Sequence, residues 1–104
     1  MTEIPTKCDG SWWYSLPVTL DGVDVLLELD YSEAGGWTLH LRDAAGTSVA
    51  VARLVVDFPL FRGRVTGLPG TLICVDTSGA GLAPGLLELG PGQRCRLCYF
   101  GVTA

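Results

Sequence analysis

The chain has 104 residues, 48% of them hydrophobic and 17% charged, with a formal net charge of −4. That excludes a disordered tail, which needs low hydrophobicity and high net charge, and leaves room for one domain only. Fourteen Gly and six Pro, the two poorest helix formers, argue against a helical bundle.

In chain order, residues 1–11 read as an extended N-terminal arm to a single domain spanning 1–104. Met1 to Asp9 is polar and lacks the apolar stretch of a signal peptide, so secretory export is not expected. No run of roughly 18 apolar residues suits a transmembrane helix. Trp12-Trp13-Tyr14 opens a strand that would send one Trp to the core and the other to an interface. Leu16 to Leu20 leads into Asp21-Gly22, a pair suited to a type I′ turn because both central residues take positive φ. Val23, Val25, Leu27, Leu29 and Tyr31 then share one strand face, with Asp24, Glu28 and Asp30 on the other. Ser32 to Gly36 reads as a five-residue hairpin loop. Trp37, Leu39 and Leu41 alternate with Thr38, His40 and Arg42, and Asp43 to Gly46 turns the chain into a strand of Thr47 to Val56. Residues 48–56 could be helical by composition. The β-branched Val49, Val51 and Val55, with no helix cap or stop beside them, favour strand. Residues 12–56 are thus expected to form a four-stranded antiparallel meander.

The second half is more broken. Pro59, Gly63, Gly67, Pro69 and Gly70 imply an irregular crossover, with a short strand at Arg62 to Thr66. Thr71 to Asp76 reads as a strand, Thr77 to Gly92 as a long Gly/Pro-rich loop, and Arg94 to Gly101 as the last strand. The expected fold is all-β: a small antiparallel β-sandwich or partly open β-barrel of six to eight short strands. Leu26, Leu54, Val56 and Phe100 fall opposite the clearest apolar stripes, implying either a closed two-layer core or a sheet covered by a partner.

Chemistry-bearing patterns are few. Cys95-Arg96-Leu97-Cys98 has C-x-x-C spacing, but a zinc ribbon needs two such knuckles. In a strand, positions three apart point to opposite faces, so Cys95 and Cys98 are not expected to chelate one ion. With Cys74 they read as buried thiols, a disulfide within the chain or to a neighbour being the alternative in an oxidising medium. Cys8, in the polar arm, is the candidate for a disulfide to the outside. His40 stands on a polar strand face with no nucleophile beside it, and Asp76-Thr77-Ser78-Gly79 reads as a strand-end turn. No enzyme, metal or cofactor is expected. Arg62 with Arg64, and Arg94 with Arg96, form short two-charge strips, too little for a nucleic-acid footprint. Six of the seven cations are Arg and only Lys7 is Lys, a composition closer to an interface than to a monomer exterior. Trp12, Trp13, Arg62, Arg64, Arg94 and Arg96 are therefore the candidate interface residues.

Several motifs occur in a fixed order: Leu20-Asp21-Gly22, Gly36-Trp37 through Asp43-Ala44-Ala45-Gly46-Thr47, Pro59-Leu60, Gly67-Leu68-Pro69-Gly70, Val75-Asp76-Thr77-Ser78-Gly79 and Arg96-Leu97-Cys98-Tyr99. Together they resemble the phage baseplate plug family of contractile-tailed phages, with particular likeness to the cyanophage form. The positions that carry the resemblance are Asp21, Gly22, Trp37, Asp43, Gly46, Leu68, Pro69, Gly70, Asp76, Gly79, Leu97 and Tyr99, all turn formers or core strand residues. The resemblance implies a non-catalytic structural protein of the virion, assembled in the host cytoplasm into the tail baseplate. It would be associated with the central hub and spike, closing or bracing the end of the tail tube. The implied partners are hub, spike and tube-end subunits and further copies of the chain, with no nucleic acid, membrane or cofactor. The alternative is a small soluble ligand-binding β-domain using Trp12, Trp13 and Trp37.

Overall fold

The structure, a computed structural model, describes residues 2–61 and 70–101. Among them are seven strands and no helix: β1 (Thr2–Glu3), β2 (Trp13–Leu20), β3 (Val23–Ser32), β4 (Gly36–Asp43), β5 (Ser48–Arg53), β6 (Thr71–Asp76) and β7 (Cys95–Phe100). They form two antiparallel sheets, β2-β3-β4-β5 and β1-β7-β6, whose inward faces share one hydrophobic core. This is the expected all-β class, an open sandwich and not a closed barrel.

The larger sheet is the meander read from the sequence. Leu20 pairs with Val23 across Asp21-Gly22, whose φ values of 50° and 77° give the twist a two-residue hairpin needs. Ser32 pairs with Gly36, so the second hairpin loop is shorter than the five residues expected. In the third turn, Asp43 Oδ1 accepts from the N–H groups of Ala45 (3.0 Å) and Thr47 (2.9 Å). Alternation does the rest: Val25, Leu27, Leu29, Trp37, Leu39 and Leu41 are buried, while Glu28, His40 and Arg42 lie on the other face.

One edge of this sheet is blunted. The Tyr31 N–H donates to the Trp12 carbonyl at 2.7 Å. With the register of β2 on β3, that bond turns the even-numbered β2 amides towards β3 and the odd-numbered ones outward. Pro17 therefore falls on the outward side, where its missing N–H costs no ladder bond and interrupts the row of free donors.

One expectation is corrected beyond β5. The strand expected to reach Val56 ends at Arg53, where the Val55 N–H turns back onto the Arg53 carbonyl at 3.0 Å. The chain then leaves the sheet, and Val56 bridges Cys74 of the opposite one. Leu54 and Val56 are consequently buried in the core, the closed two-layer alternative of the two that their position opposite the apolar stripes allowed. Leu26 is half-buried and Phe100 remains exposed.

The smaller sheet pairs β6 with β7 in the register Leu72 to Tyr99 and Cys74 to Leu97, which points Leu72, Cys74, Cys95, Leu97 and Tyr99 inward. Arg94, expected inside the last strand, lies just before it. The short strand expected at Arg62 to Thr66 lies outside the described residues. Within the segment read as an arm, Thr2 and Glu3 pair with Tyr99 and Cys98, and Ile4 is buried with its N–H on the Leu97 carbonyl.

Candidate functional site

At one end of the sandwich the sheets are tied by a hydrogen-bonded latch. The Tyr99 hydroxyl donates to Asp21 Oδ2 at 2.8 Å and accepts the Gly70 N–H at 2.7 Å. Burial, then the bond to Asp21, raises the Tyr99 pKa, so the hydroxyl keeps the proton it donates. A Cβ on Gly70 would collide with the Phe100 carbonyl oxygen and lie 2.7 Å from the Tyr99 ring, a closeness only glycine permits. Asp21, Gly22, Gly70 and Tyr99, scattered through the sequence, thus meet in one place.

The opposite end is formed by the start of β2, the β3–β4 hairpin, the end of β5 and the loop between β6 and β7. That loop is built around one guanidinium. Arg94 Nη1 lies 3.0 Å from Asp76 Oδ2, and its Nε lies 3.2 Å from Glu88 Oε2. Nη1 also donates to the Leu82 carbonyl and Nη2 to that of Ala83. Asp76 further accepts from the Ser78 hydroxyl and from the amides of Ser78 and Gly81. Those bonds, the Ser78 hydroxyl first, hold its carboxyl at about 2, against an ordinary 3.8. Gly79 supplies the φ of 75° that the turn after Asp76 requires. Across the sandwich, the Trp37 Nε1–H donates to the Gly85 carbonyl at 3.1 Å, fastening the loop to the larger sheet.

This second end carries most of the exposed apolar surface. Trp12 and Trp13 are 46% and 59% exposed, Phe58 59% and Leu82 65%, with Val55 and Leu87 exposed beside them. Val55, Phe58, Pro59, Leu60, Gly81 and Ala83 line an open groove of about 720 Å³. Phe58 and Leu82 escaped the sequence reading because they sit in irregular segments, where no alternation marks a face. The two tryptophans make no common platform. Trp13 points outward from β2, whereas Trp12 packs edge-on against Tyr31 at 5.1 Å, and Tyr31 likewise against the buried Trp37.

Of the remaining candidate residues, Arg96 pairs with Glu3 at 3.5 Å, and Arg94 is turned into the loop as described. Arg62, Arg64, Leu68 and Pro69 lie outside the described residues. Asp43 and Gly46 form their turn, and Leu97 is core. Cys8 is free and half-buried, its thiol donating to the Leu87 carbonyl at 3.1 Å. Cys74, Cys95 and Cys98 are free and buried. Burial, helped by the neighbouring Cys95, pushes the Cys74 thiol up to about 12. Among the described residues no group of three His, Cys, Asp or Glu is placed to hold a metal. His40 faces Glu28 and Val51 across the sheet.

No curated protein and no solved structure matches the chain. A family model described as cyanophage baseplate Pam3 plug gp18 matches residues 1–102.

Proposed function

The chain belongs to the cyanophage baseplate plug family, and from that premise we propose that it closes or braces the end of a contractile tail tube beside the central hub and spike. As a member of this family it is a structural virion protein of the phage tail baseplate and associates with other baseplate proteins. The match over residues 1–102 is the observation that carries the proposal.

In this reading the partners are hub, spike and tube-end subunits together with copies of the chain, assembled in the host cytoplasm. The apolar end is the docking surface: Trp13, Phe58 and Leu82 together present more exposed hydrophobic side chain than a water-facing loop region needs. Nucleic acid is not a partner, because the described arginines are largely engaged within the chain, Arg42 with Glu28, Arg94 with Asp76 and Glu88, Arg96 with Glu3. Nor is the protein an enzyme. Among the described residues the titratable groups with displaced pKa values are buried thiols and tyrosines, members of the loop network, and Asp9, whose pKa Ser11 lowers in the N-terminal segment, and they do not converge on a cleft.

Docking can be tested by carrying Trp13→Ser and Phe58→Ser through phage assembly. Both side chains are exposed, so the variants should fold with unchanged melting temperature yet be depleted from purified tails. Incorporation at the wild-type level would place the docking surface elsewhere.

A further inference from the structure

The two edges of the larger sheet differ. On the β2 edge, Pro17 removes a donor from the outward row. The β5 edge keeps its donors: Ser48-Val49-Ala50-Val51-Ala52-Arg53 contains no Pro and no Lys, Arg53 is its one charge, and its one irregularity is a bulge at Val49, where the register on β4 shifts. The Leu54 N–H donates to the Trp37 carbonyl at 2.9 Å. With the register of Leu39 on Ala52, that bond turns the Ala52 amide towards β4 and leaves the amides of Val51 and Arg53, and the Val51 carbonyl, facing away. Among the described residues no strand pairs with this side of β5. Such an edge, β-branched and nearly uncharged, is a template for another strand.

We propose that two copies of this chain join edge to edge through β5, running antiparallel about a twofold axis at Val51, so that their four-stranded sheets become one continuous sheet. The inference rests on the homo-oligomeric reading given above and names its contact.

Three observations favour a second copy as the occupant. Centred on Val51, the pairing is self-complementary: each Val51 N–H meets the partner copy's Val51 carbonyl, a reciprocal pair that an isologous contact requires. Its electrostatics are permissive, because a pairing centred on Val51 directs Arg53 towards the bulged Ser48-Val49 end of the other copy and never opposite the other Arg53, avoiding like charges face to face. Finally, the core is incomplete on this side. Ala50 and Ala52 point inward yet are only half-buried, and Val51 is 55% exposed on the outer face, so a neighbouring strand would cover small apolar side chains on one face and a valine on the other. Pairing β5 with a neighbour's β2 would instead bring Pro17 into the ladder.

Sedimentation equilibrium of the purified chain across a wide concentration range, with amide hydrogen exchange at its upper end, tests the proposal. The expected result is a monomer–dimer equilibrium in which the Val51 and Arg53 amides become protected as dimer forms. Val51→Pro removes the outward N–H, and Val51→Lys sets like charges opposite each other across the axis. Each should raise the dimer dissociation constant about tenfold or more, whereas Ser15→Lys on the β2 edge should not. Far-UV circular dichroism confirms that each variant folds. A wild-type monomer at every concentration overturns the edge pairing, leaving incorporation into tails as the separate test of the baseplate role. A dimer indifferent to both Val51 variants, or one whose Val51 amide exchanges freely, overturns this contact while keeping the homo-oligomer.

Discussion

Tyr99 shows how a single side chain holds the two layers together. Its ring is core to the smaller sheet, and its hydroxyl reaches the β2–β3 turn through Asp21 and the chain before β6 through Gly70. Replacing it with Phe keeps the ring and leaves the Gly70 amide without that acceptor. Tyr99→Phe should therefore cost about 1–3 kcal/mol in urea unfolding, whereas Tyr31→Phe should cost much less, because the Tyr31 hydroxyl has no hydrogen-bond partner among the described residues. The four residues around the latch were legible as parts of separate motifs, Asp21-Gly22, Gly70 and Tyr99, because each has a local turn or strand role. That they converge was not legible, since nothing in residue spacing links a hairpin turn to a hydroxyl 78 positions away. Trp37 is similar: its burial follows from alternation with Leu39 and Leu41, but its bond to the Gly85 carbonyl does not.

Among the elements, the meander was the most legible because every strand alternates and every turn has its own chemistry. The β6–β7 loop was the least, because its order comes from Arg94 and not from periodicity. The sequence pairs Arg94 with Arg96 as a strip on one strand face. In the fold Arg94 stops short of β7, its side chain only 19% exposed against 40% for Arg96, and its guanidinium gathers Asp76, Glu88 and two loop carbonyls. This network makes the loop sensitive to acid. The Asp76 pKa is lowered to about 2 from 3.8, so its stabilising contribution is complete above about pH 4 and is lost as the pH falls from there towards 2. Asp76→Asn should accordingly melt below the wild type at neutral pH, with the gap closing between about pH 4 and 2. A gap unchanged over that window in thermal melts would show that the carboxylate's charge does not hold the loop. Leu54 and Val56 mark the other limit: strand alternation was extended past Arg53, where the chain actually crosses to the second sheet and buries both.

For the whole molecule, scarce charge and a single lysine first excluded disorder and then acquired a location. Most of the exposed large apolar side chains, Val23, Val51 and Phe100 apart, gather at the end of the sandwich away from the Tyr99 latch, while the outer face of the larger sheet carries Asp24, Glu28, Asp30, His40 and Arg42, with Glu28 and Arg42 paired at 3.5 Å. A protein that met water on all sides would have little use for that division; a part seated against neighbours would. The all-β class and the baseplate family could both be read from the ordered motifs, because turn residues and strand alternation set the chain path. The docking surface could not, since it is assembled from irregular segments that fold onto the sheets. The chain is a protein of the phage tail baseplate, and we propose that it is held there in fixed number beside the hub and spike. Quantitative mass spectrometry of purified baseplates tests it most directly. The chain should be present in a constant ratio to the hub and spike proteins and should stay with them when baseplates are separated from tubes and sheaths. Its absence from purified baseplates, with the protein found only in the soluble fraction of infected cells, would contradict that claim.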